Sequence, residues 1–137
     1  MPLLYRMRAE ASICYTRRMD LWKHRTYIDL WSLVHLASGA LLGMASYAFG
    51  YGFEAALILT AILLIAWELL EWIVGISETA ANIVLDIIIG LAGFFLAAYW
   101  YFYLLVPFDT AAFLTVGIPT ALVALWGFVD MKVYGYR

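Results

Sequence analysis

From Tyr27 to Asp130 the chain contains no lysine or arginine, yet eight carboxylates fall within that stretch. Most of the remainder is apolar, and it comes in continuous runs of the length a helix needs to cross a bilayer, about 20 residues. The composition is 66% hydrophobic and 13% charged, with a mean hydropathy of +0.91, far outside the range of soluble globular domains. The 137 residues hold about four such spans with short connections. The expected fold is therefore all-α: a four-helix transmembrane bundle, preceded by an amphipathic cytoplasmic segment and without room for a soluble catalytic domain.

The cations set the expected orientation. Arg6, Arg8, Arg17, Arg18, Lys23 and Arg25 precede the first span, and Lys132 and Arg137 follow the last. By the positive-inside rule both ends are cytoplasmic and the number of crossings is even. The expected location is the plasma membrane, or the inner membrane of a bacterium. Residues 1–26 place Leu4, Met7, Ala11, Cys14, Tyr15 and Trp22 at helical spacing with arginines between them. That suits a helix lying on an anionic leaflet, and a basic topogenic tail reads equally well. Cations beside a membrane are explained by orientation alone, so no nucleic-acid partner is expected. Cys14 is the only cysteine, which excludes an intramolecular disulfide.

Within a transmembrane domain at 27–131, the spans are expected at about 29–49, 54–74, 79–104 and 111–129, with 132–137 as a cytoplasmic tail. Gly50-Tyr51-Gly52 marks the first turn. Gly75 is a stop and Ser77 a candidate N-cap for the third span. Pro107 and Asp109 punctuate the outer turn, and Pro119 is expected to kink the fourth span.

Topology turns scattered polar residues into a depth map. At ~1.5 Å per residue, His35 lies about 9 Å from the start of the first span. Glu68 and Glu71 lie roughly 9 and 5 Å before the end of the second, and Asn82 and Asp86 roughly 5 and 10 Å into the third. All five fall in one slab of the cytoplasmic half. Faces agree with depths: Glu68 and Glu71 are three apart, while Glu78, Asn82, Asp86 and Gly90 are spaced by four. Ser32, His35, Ser38, Gly39 and Gly43 form a second stripe of polar and small residues. Taken singly, His35 and Asn82 read as interhelical hydrogen-bonders, and Glu54 and Glu78 as anions at helix N-termini. Glu68 and Glu71 differ, because buried acids without a basic partner other than His35 are expensive.

These residues resemble, in their order, the VanZ-like group of small bacterial membrane proteins. The similarity covers roughly residues 29 to 95: Asp29…His35 followed by Ser38-Gly39, then Glu68-x-x-Glu71. The stripe Thr79-x-x-Asn82-x-x-x-Asp86-x-x-x-Gly90-x-x-Gly93 completes it. The chain departs from that pattern at Glu71, where the group has Gln, in its Asn82-then-Asp86 order, and in lacking an Arg in the loop before the third span. The missing Arg removes the natural counter-charge for the acids. The resemblance implies a multi-pass cell-envelope protein and carries over no molecular activity.

The residues support a divalent-metal site, with Mg²⁺, Mn²⁺ or Zn²⁺ held by His35, Glu68, Glu71 and Asp86 and supported by Asn82 and Ser38. Glu68 and Glu71 are the catalytic candidates, for metal-assisted chemistry on a lipid or polyprenyl phosphate. Two alternatives stand beside this. One is a proton- or cation-binding transport protein, for which four spans call for a homodimer. The other is a structural or accessory subunit whose buried acids are neutral and hydrogen-bonded. No nucleophile triad and no phosphate-cradling glycine loop are present.

Overall fold

The computed structural model describes residues 30–74 and 79–134, with side chains as far as residue 130. The basic segment 1–26, Asp29, the connection that carries Gly75, Ser77 and Glu78, and the tail from 135 onward lie outside the described residues. Four helices follow one another: α1 (Leu30–Ala48), α2 (Phe53–Ile73), α3 (Ala80–Ala98) and α4 (Thr110–Tyr134). A single π-helical turn, Tyr99–Tyr103, extends α3. There is no strand among the described residues. Each helix carries a window long and apolar enough to span a bilayer.

Local signals account for the boundaries. Gly50 closes α1 with φ +77, a left-handed conformation that glycine adopts without a Cβ clash. Thr79 rather than Ser77 caps α3, its hydroxyl accepting from the Asn82 N–H at 3.3 Å. Asp109 caps α4 through Oδ1, which accepts from the Ala111 N–H at 2.8 Å. The third span was expected to be one regular helix to residue 104. Instead its last turn widens, with the Leu104 N–H reaching Tyr99 O and the Val106 N–H reaching Trp100 O. Leu105 then reverses the chain at φ 53. Helix α4 passes through Pro119 and runs beyond Asp130 to Tyr134. A helix leaving the membrane need not stop at the first charge, since water satisfies its backbone.

The bundle is built on α1, which packs most extensively on α3 and also meets α2 and α4. Helices α1 and α3 run parallel and nearly in contact. A Cβ on Gly39 would fall 1.8 Å from the Gly90 carbonyl oxygen, and one on Gly93 would fall 1.9 Å from that of Leu36. Gly43 faces Ala97 further along the same seam. Close approach through small residues is the usual basis of helix association in lipid, where no hydrophobic driving force separates one apolar surface from another.

The burial pattern is the reverse of a soluble domain's. Ile58, Ile62, Leu69, Trp72, Ile88, Leu96 and Leu122 are exposed, whereas Ser32, His35, Glu68, Glu71, Asn82 and Asp86 are buried. Hydrocarbon solvates the first group at no cost and leaves the second to find partners inside. At the far end an aromatic cluster ties the helices together. Tyr47 meets Tyr101 and Phe102, Phe53 meets Phe94 and Phe102, and Phe113 meets Phe108, with ring centroids 5.3–6.0 Å apart.

Candidate metal centre

Where the chain enters α1 and leaves α2, three buried side chains converge. His35 occupies the second turn of α1, and Glu68 and Glu71 the last two turns of α2. One potential ligand atom from each lies within 4.8 Å of the other two. The i,i+3 spacing of the two glutamates puts both on the face turned toward α1, as the sequence suggested.

The orientation of His35 is set by its own helix. Nδ1 lies 2.9 Å from the carbonyl oxygen of Trp31, one turn back. A carbonyl only accepts, so Nδ1 carries the proton, and in the neutral ring Nε2 presents a lone pair. That nitrogen lies 2.9 Å from Oε1 of Glu68. That is an ion-pair distance, and neither atom has another hydrogen-bonding partner among the described residues. A proton or a cation held between the two atoms accounts for so close an approach.

Glu71 is held differently. Its Oε1 accepts from the indole Nε1–H of Trp67 at 2.8 Å, an i,i+4 pair on α2. Tryptophan is a donor only, so this bond orients the carboxylate without competing for a cation. Trp67 was not singled out from the sequence, where it reads as one more aromatic in an apolar run. Its position four before Glu71 was the available signal.

Asp86 and Asn82 are equally buried but form their own group on α3. Asp86 accepts from Ser32 Oγ through Oδ1 at 2.8 Å and from Asn82 Nδ2 through Oδ2 at 2.9 Å. Asp86 therefore stands beside the convergent three, not among them, and adds negative charge and a brace between α1 and α3. Ser38, expected in support of the site, is half-buried one turn beyond His35. The serine that bonds to an acid is Ser32, one turn before it. Glu54 is exposed in the first turn of α2, as suits an anion at a helix N-terminus.

No lysine or arginine falls between residues 27 and 130 to balance these acids. The donor set is one imidazole and two carboxylates, chemically competent to hold a divalent ion. Comparisons with protein-family models, with curated proteins and with solved structures find no match.

Proposed function

We propose that this multi-pass membrane protein binds a divalent metal ion through His35 Nε2 and the carboxylates of Glu68 and Glu71. The observation that carries this reading is the convergence of His35, Glu68 and Glu71, all buried, with one potential ligand atom from each within 4.8 Å of the others. Charge agrees with it. Two carboxylates and a neutral imidazole sum to the charge that a divalent cation cancels, in a region where an unbalanced charge is costly, while the neighbouring Asp86 is met by the donors of Ser32 and Asn82.

The donor set narrows the ion. Imidazole favours Zn²⁺ over Mg²⁺, and carboxylates also accept Mn²⁺, so Zn²⁺ is the first choice and Mn²⁺ the second. Three protein donors leave a position open on a tetrahedral ion, the arrangement of a site that acts on a ligand rather than one that only staples a fold. At this depth, one to two turns from a helix end, the ligand that suits such a position is a lipid or polyprenyl headgroup phosphate. Glu68 and Glu71 are the residues on which its chemistry would depend.

Metal analysis of protein purified in mild detergent without chelator tests the reading. About one equivalent of Zn²⁺ or Mn²⁺ is expected per chain, and loss of most of it in His35→Ala, Glu68→Gln and Glu71→Gln. A parent protein that is metal-free as isolated, and takes up neither ion on reloading, would overturn it. A proton shared between His35 and Glu68 would then account for their approach.

A further inference from the structure

Two helices that contribute no ligand stand beside the site, and they differ in how deeply they are buried. Helix α3 closes one side with the Ser32–Asp86–Asn82 brace and the glycine seam. Helix α4 closes another, and it is barely held. Only 6% of its apolar window is buried, against 44% for α1. Its attachment at the site end centres on one ring. Phe128 meets the indole of Trp31 edge-on at 5.3 Å and that of Trp67 edge-on at 5.8 Å, filling the groove between α1 and α2. Val123 and Ala124 back the same contact.

Those two tryptophans are the residues that orient the ligands. The Trp31 carbonyl holds His35 Nδ1, and the Trp67 indole holds Glu71 Oε1. One aromatic side chain on the least buried helix thus packs on the indole that orients Glu71, and on the indole of the residue whose backbone carbonyl bonds His35. Such outer partners commonly set affinity and exchange as strongly as the ligands do.

We propose that α4 is a lateral gate over the metal centre and that Phe128 is its latch, a positioning residue acting through the Trp67 indole. The inference rests on the metal-binding reading above. With Phe128 seated, the Trp67 indole that orients Glu71 is held in place. When α4 swings off α1, the groove between Trp31 and Trp67 opens to the bilayer, not to water. A ligand reaching the open coordination position by this route arrives from the lipid phase, which fits an amphiphile.

Two measurements on the full chain in nanodiscs separate the latch from the site. The first is Zn²⁺ release to an excess of chelator in the parent, Phe128→Ala and Phe128→Tyr. Release should be about tenfold faster or more in Phe128→Ala, with the Zn²⁺ content at saturation unchanged, and Phe128→Tyr should restore the parental rate. The second needs no metal: quenching of tryptophan emission by brominated lipid, with Trp22, Trp72, Trp100 and Trp126 replaced by Phe. Trp31 and Trp67 should become more accessible to the quencher in Phe128→Ala and return to parental quenching in Phe128→Tyr. Parental quenching and parental release in Phe128→Ala would overturn the latch while leaving the metal site standing. A parent that binds no Zn²⁺ but shows the quenching change would overturn the site and keep the moving helix. Faster release from a variant equally quenched by a water-soluble agent would overturn the lateral route.

Discussion

At the scale of single residues, the acids divide by what surrounds them. Asp86 is fully buried and has a donor on each oxygen, Ser32 on one and Asn82 on the other. Removing the carboxylate takes one hydrogen bond from each donor, and a buried hydrogen bond contributes about 1 kcal/mol, or up to about 3 kcal/mol where the acceptor is charged. Asp86→Ala is therefore expected to destabilise the bundle by about 2–4 kcal/mol, with Ser32→Ala costing less because it removes one donor and leaves Asp86 the other. Reversible unfolding in mixed micelles measures both. Equal effects of the two would show that Asp86 is not the centre of that group. The convergence of His35, Glu68 and Glu71 was legible in the sequence because depth and helical face are properties of spacing alone. The separation of Asp86 from them was not, since it depends on which serine of α1, Ser32 or Ser38, points at α3. A rotation of α1 by a fraction of a turn decides that, and no residue spacing encodes it.

At the scale of elements, the α1–α3 seam does most to position the site. His35 and Gly39 are one turn apart on α1, as Asp86 and Gly90 are on α3, so the close approach at the glycines brings the polar turns below them into register. A side chain at Gly39 meets backbone, the Gly90 carbonyl, and cannot be accommodated by a rotamer change. Gly39→Val should force the helices apart, lengthen the Ser32–Asp86 contact and remove the capacity to bind metal. Gly52→Ala is the matched control. A Cβ there meets nothing within 4 Å, and its backbone φ of −70 suits any residue. Detergent-resistant folding and metal content should be lost in Gly39→Val and retained in Gly52→Ala. The seam was readable as a stripe of small residues, but the loose attachment of α4 was not. Its sequence is as apolar as the others, and in lipid an apolar face does not reveal whether a helix or a fatty acyl chain covers it. The π turn at Tyr99–Tyr103 was hidden for a related reason, because aromatic side chains are equally at home in a regular helix at an interface.

At the scale of the whole molecule, the structure places the start of α1 and the far part of α4 together, since Phe128 packs on Trp31. Both ends of the described chain thus share a side with the His35–Glu68–Glu71 site, and the aromatic cluster and the turns at 49–52 and 104–109 lie on the other. Which side faces the cytoplasm is a matter of charge, because the helices themselves contribute no cation between residues 27 and 130. All eight lysines and arginines flank the bundle, six before α1 and two at its end. Juxtamembrane cations are retained on the cytoplasmic face during insertion, and each also gains about 1 kcal/mol near an anionic leaflet. A fluorescent protein fused after Arg137, of a kind that matures only in the cytoplasm, is therefore expected to fluoresce. An alkaline phosphatase inserted in the Gly50–Gly52 turn should be active outside. Replacing Arg17, Arg18, Lys23 and Arg25 by Gln while adding arginines to that turn should reduce the first signal and spread the chain over both orientations. A silent fluorescent protein together with an inactive phosphatase in the turn would invert the bundle. The acids would then face the outer leaflet, and any lipid phosphate reaching them through the α4 side would come from that leaflet.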